Sequence, residues 1–106
     1  MREIVLFGRR LRSLRKSRQF TQEALGGKAG LSYKYVGAIE RGEENPSLEV
    51  IAKLGAALGV EIREMFEFEH EETNPEKLRK KLSQLLREAD EKVLQQAVKL
   101  LRVLKT

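Results

Sequence analysis

Between Thr21 and Gly42 the chain has room for only two short helices, and the residues that start and stop each are in place. Thr21 has N-cap chemistry for a helix over 22–28, in which Leu25, Ala24 and Ala29 turn inward, and Gly30 ends it. Ser32 caps a second helix over 32–41, with Val36 and Ile39 inward and Gly42 at the left-handed position that commonly follows a helix end. Neither segment is long enough to stand alone, so the flanking sequence must supply a shared core.

It does so with the same 3.6-residue period. Leu6, Phe7, Leu11 and Leu14 predict a first amphipathic helix over about 4–17, with arginines on its outer side. After the turn Asn45-Pro46-Ser47, Ser47 caps a helix carrying Leu48, Ile51, Leu54 and Leu58 and stopped by Gly59, and a short turn over 62–66 closes the core. The expectation is an all-α, five-helix domain over 1–68.

Residues 67–72 (Glu-Phe-Glu-His-Glu-Glu) hold four acids, and Thr73-Asn74-Pro75 marks a turn, so 69–74 reads as an acidic linker and 75–106 as a C-terminal tail. Asn74, Pro75 and Glu76 start a helix with Leu78, Leu82, Leu85 and Leu86 on one stripe. Ala89-Asp90-Glu91 reads as a second start, followed by Val93, Leu94, Ala97, Val98, Leu100, Leu101 and Leu104. A helical hairpin is favoured, although the apolar positions also fit one unbroken helix. So much apolar surface on a short tail predicts homodimerisation through Leu78, Leu82, Leu85, Leu86, Val93, Leu94, Ala97, Leu100, Leu101 and Leu104; folding back onto the first domain is the alternative.

Charge narrows the classes of partner. The net charge is +5, and residues 1–18 carry Arg2, Arg9, Arg10, Arg12, Arg15, Lys16 and Arg18 against Glu3 alone, which favours a polyanion. No stretch approaches the roughly 20 apolar residues of a membrane span, and the N-terminus lacks a signal-peptide core, so a soluble cytoplasmic protein is expected. With no cysteine there is neither a disulfide nor a thiolate metal site. His70 stands alone in an acidic stretch, and no catalytic combination, metal-ligand spacing or cofactor loop is present; neither enzymatic activity nor a cofactor is expected.

Two short helices joined by a tight glycine-containing turn let the second lie in a major groove while the first braces it across the backbone. Six stretches carry a more specific likeness: Phe-Gly-Arg-Arg-Leu-Arg-Ser-Leu-Arg (7–15), Thr-Gln-Glu-Ala-Leu (21–25), Ala-Gly-Leu-Ser (29–32), Ile-Glu-Arg-Gly (39–42), Asn-Pro-Ser-Leu (45–48) and Ala-Leu-Gly-Val (57–60). In this order the sequence resembles the lambda-repressor-like, or XRE-type, helix-turn-helix regulators over residues 7–66. That resemblance implies a domain whose third helix reads bases in double-stranded DNA, usually from a dimer on an inverted repeat. It implies that Gln22 holds a phosphate and that Ser32, Tyr33 and Lys34 open the reading helix. Gly37 and Ala38 are expected one turn further along its exposed face. Arg41 and Asn45 are expected at the backbone, and Arg15 and Glu40 as a structural ion pair. Of Arg9, Arg10, Lys16 and Arg18, one or two at most are expected to touch phosphate. Relatives carry alanine near Gly26 and Gly55, which makes glycine at these helical positions a departure that close packing would have to offset.

The function expected is a sequence-specific transcriptional regulator, most simply a dimeric repressor. An antitoxin or controller protein that also binds a partner protein through its tail fits the same residues, and a module that bridges other proteins without binding DNA is a third reading. An effector pocket is disfavoured because few residues remain to build one.

Overall fold

The computed structural model describes residues 2–68 and 73–105; residues 69–72, with His70 and most of the expected acidic linker, lie outside them. The described residues form seven helices and no strand. The chain divides into two compact units, Met1–Phe68 and Glu69–Thr106.

In the first unit, α1 (Arg2–Ser17) presents Phe7, Leu11, Leu14 and Arg15 inward and Arg9, Arg12 and Lys16 outward. The turn after it places Gln19 at φ 60°, a left-handed conformation that costs a residue with a Cβ. α2 (Gln22–Ala29) starts where Thr21 Oγ1 accepts from the Ala24 N–H at 3.0 Å, and ends where Gly30 turns left-handed. α3 (Tyr33–Glu40) starts where Ser32 Oγ accepts from the Tyr35 N–H at 3.1 Å. Past Arg41, Gly42 is again left-handed at φ 75°, and the Glu43 N–H reaches back to the Ala38 carbonyl at 2.9 Å.

α4 (Leu48–Leu58) is capped by Ser47 and closed by Gly59; α5 (Ile62–Met65) opens on a capping box in which Glu61 and Glu64 each bond the other's backbone N–H. At eight residues each, α2 and α3 could not persist in isolation. They are held because Leu25, Val36 and Ile39 meet Leu11, Leu54 and Met65 in one core, each 1% exposed or less. Phe7 and Phe66 pack at 5.4 Å between ring centres and tie the start of α1 to the end of α5. Ala24 departs from expectation: it lies on the solvent side of α2, and Leu25 and Ala29 carry the burial.

In the second unit, Asn74 Oδ1 accepts from the Glu76 N–H and opens α6 (Pro75–Glu88). Ala89 is extended, Asp90 Oδ1 accepts from the Val93 N–H at 2.9 Å, and α7 (Glu91–Lys105) begins. The tail is therefore two helices with a break at the Asp90 cap, not one. Among the described residues α6 and α7 do not pack along each other, and none of their side chains is buried. Leu78, Leu82, Leu85, Val93, Leu94 and Leu101 are exposed; Leu86, Ala97, Leu100 and Leu104 are half-covered. No helix of the described residues is long and apolar enough to cross a membrane.

Candidate nucleic-acid interface

The α2–turn–α3 unit is braced from behind by a buried ion pair. Arg15 on α1 donates through Nε to Glu40 Oε2 at 2.6 Å and through Nη2 to Oε1 at 3.0 Å, while its Nη1 donates to the Phe20 carbonyl at 2.8 Å. The hydrogen bonds from Arg15 to Glu40 raise the Arg15 pKa further. With Arg15 and Glu40 side chains only 10% and 3% exposed, the pair joins the end of α3 to α1. Its importance lies in what breaking it would strand, about 3–5 kcal/mol for a buried charge that loses its partner. Gln22 Nε2 adds a third member by donating to Glu40 Oε1 at 3.2 Å, so the first residue of α2 is bonded to the last residue of α3.

Two glycines permit this closeness. A Cβ on Gly8 would lie 2.4 Å from the Ile39 carbonyl oxygen and 2.7 Å from that of Glu40, and a Cβ on Gly26 would lie 2.5 Å from the Leu31 carbonyl oxygen. Gly26 is thus the residue at which the connecting turn presses against α2, the close packing that offsets the cost of a glycine inside a helix. Gly8 carries no such signal in the sequence, because its neighbour is a backbone some thirty residues away.

In front, the Ser32 cap leaves Tyr33 and Lys34 in the first turn of α3 and open to solvent, Tyr33 at 48%. Ser32 itself is exposed with its hydroxyl engaged in the cap. Asn45 is exposed in the loop after α3, and Ala38 is half-buried. Gly37 must be corrected: it is buried, not on the exposed face, and the Gln22 amide and Arg41 guanidinium lie 3.0–3.5 Å from where its Cβ would be. A side chain there would press on both and have to shift these side-chain ends.

Arg41 is exposed and forks onto Glu43, Nε to Oε2 at 2.8 Å and Nη2 to Oε1 at 3.3 Å. The Arg41 hydrogen bond holds the Glu43 carboxyl below the usual carboxylate range and raises the pKa of Arg41 in turn. Arg10 on α1 and Arg18 in the turn after it have work inside the domain: Arg10 Nε donates to the Glu64 carbonyl and Arg18 Nε to the Leu58 carbonyl, both at 2.9 Å. These bonds cap the ends of α5 and α4, leaving Arg9, Arg12 and Lys16 as the outward cations. Among the described residues no group of three or more His, Cys, Asp or Glu side chains could hold a metal.

Comparison with known proteins agrees with this geometry. The helix-turn-helix family profile matches residues 11–65. The immunity repressor of Bacillus phage phi105 is 42% identical over 55 residues, 52% of this chain but only 38% of the repressor's length. The transcriptional regulator SinR of Bacillus subtilis is 29% identical over 85 residues, 79% of this chain and 77% of SinR. In fold, the restriction-modification controller protein C.AhdI of Aeromonas hydrophila superposes with a TM-score of 0.62 at 47% identity, covering 62% of this chain and all of that one. The family match spans α2, the turn and α3 together with the helices that brace them, and the chain belongs to the Cro/C1-type helix-turn-helix family of DNA-binding transcriptional regulators.

Proposed function

We propose that this chain is a dimeric repressor that places α3 in the major groove of an inverted-repeat operator and acts in the cytoplasm. The observation that carries the proposal is the rigid presentation of the first turn of α3: Tyr33 and Lys34 face solvent while Glu40 at its far end is bonded to both α1 and α2. Lys34 can donate to guanine O6 or N7, and Tyr33 can pack on sugar or a base edge. Gln22 spends one amide hydrogen on Glu40 and keeps the second for a phosphate at the start of α2, where the helix N-terminus adds its own positive end. Ser32, Ala38, Arg41 and Asn45 line the same approach, Arg41 and Asn45 toward the backbone. Gly37 serves by letting Gln22 and Arg41 converge.

Residues 75–105 are assigned to dimerisation because the leucine faces of α6 and α7 are exposed in the single chain. A two-fold dimer spaces its reading helices by about 34 Å, one turn of duplex. The test is to incubate the protein with fragmented genomic DNA from its source and to sequence what is retained. Enrichment of inverted repeats with half-sites one turn apart supports the proposal; retention of no sequence by the folded protein removes it.

The likeness to C.AhdI favours a second reading in the same class, a controller that regulates its own operon. The same selection separates the two. A controller recovers the promoter of its own gene, with a restriction or toxin gene beside it, whereas a dedicated repressor recovers promoters elsewhere.

A further inference from the structure

Arg41 and Arg15 make the same two-pronged contact with a carboxylate, but in opposite surroundings. The Arg15–Glu40 side chains are nearly sealed from water, at 10% and 3%; those of Arg41 and Glu43 are 59% and 58% exposed. An exposed pair of this kind has little net worth and exchanges readily with another anion. The fork by which Arg41 grips Glu43 also matches a phosphate, which presents paired oxygens in the same way. One terminal nitrogen of Arg41 and the Gln22 amide both reach back over Gly37, so two groups suited to a phosphate converge there, Arg41 held by the exposed Glu43 and Gln22 giving one amide hydrogen to the buried Glu40. The loop adds a second exposed acid, Glu44, and no Lys or Arg occurs from Gly42 to Val50 to offset it.

We infer that Glu43 competes with DNA phosphate for Arg41 and so restrains binding to duplexes that lack the operator sequence. The inference rests on the proposed reading that the loop after α3 meets the DNA backbone. On a non-specific duplex few base contacts form, so affinity comes from phosphate neutralisation alone, and displacing Glu43 is opposed with little in return. On the operator, base contacts hold the backbone in register long enough for Arg41 to exchange partners. Glu43 thereby restrains sequence-independent binding without touching a base.

The test compares the wild-type full chain, Glu43→Gln, Arg41→Ala and the double variant on a random-sequence duplex across a salt series, with far-UV circular dichroism to confirm that each is folded. Removing one unit charge about 4 Å from a phosphate in water corresponds to roughly a fivefold gain in affinity. Glu43→Gln is therefore expected to tighten random-duplex binding about fivefold per engaged protomer, and to steepen log K against log salt by about 0.9 for each. The double variant should show no gain over Arg41→Ala. If the wild type binds with a clear salt dependence and Glu43→Gln changes neither affinity nor slope, the inference fails and the DNA-binding reading stands. Weaker binding by Glu43→Gln also overturns it, assigning Glu43 instead to holding Arg41 in place. A folded wild type that binds neither this duplex nor any genomic fragment removes both.

Discussion

Replacing Gly8 by alanine sets two effects of known sign against each other. Alanine inside α1 should stabilise the helix by about 0.5–1 kcal/mol, because glycine surrenders more backbone freedom on folding. Its Cβ, however, would stand 2.4 Å from the Ile39 carbonyl oxygen, 2.7 Å from that of Glu40 and 2.9 Å from the Glu40 carbonyl carbon. All three are backbone atoms, so no rotamer change relieves the collision, and α1 must part from α3 by roughly 1 Å to restore van der Waals contact. Overpacking of this sort costs about 1–3 kcal/mol, and here the parting also stretches the Arg15–Glu40 fork and loosens Leu11 against Ile39. The expected net result is a loss of about 2 kcal/mol, or about 10 °C in Tm for a domain of this size. Urea and thermal unfolding followed by far-UV circular dichroism, at one protein concentration, would read it. Gly27→Ala is the matched control: nothing lies within 4 Å of its Cβ position, so it should gain about 0.5–1 kcal/mol. Gly8→Ala as stable as the wild type would refute the close α1–α3 crossing and the reading of Gly8 built on it.

Glu40→Gln strands the Arg15 guanidinium in the interior and should lower stability by about 3 kcal/mol in the same urea assay, whereas Arg15→Met with Glu40→Leu should lose much less. Gln19→Gly relieves the left-handed strain at φ 60° and should raise Tm, with a gain of about 1 kcal/mol. The paired aspartates in Leu82→Asp/Leu94→Asp put charge on the exposed faces of α6 and α7; sedimentation should then show monomers, with operator affinity falling but far-UV signal kept. Glu43 has a depressed pKa, so the ion pair's contribution is fully present above the ordinary glutamate pKa and is lost as pH falls through the lowered value. A carboxyl titration by NMR should place Glu43 below the usual range in the wild type and return it there in Arg41→Ala.

Local chemistry determined the helix boundaries. Thr21, Ser32, Ser47, Asn74 and Asp90 each accept an N–H two or three residues ahead, and Gly30, Gly42 and Gly59 each adopt the left-handed turn that their position requires. Interactions of that span are written in consecutive residues, which is why the break at Asp90 and the five-helix order are legible from the amino-acid order alone. The family likeness made Arg15 and Glu40 legible as a pair, although they are 25 residues apart. What the periodicity of apolar residues could not settle was which polar groups the helices bring together once they cross. Arg10 in α1 and Arg18 just past its end look like part of a surface charge run, yet their partners are carbonyls 54 and 40 residues away. Gly37 sits where a helical wheel admits solvent, and only the arrival of Gln22 from α2 and Arg41 from the next turn buries it. Gly8 belongs to the same class, because closest approach between two helix backbones is a property of the packed domain, whereas Gly26 was already marked by the close packing that a glycine there requires.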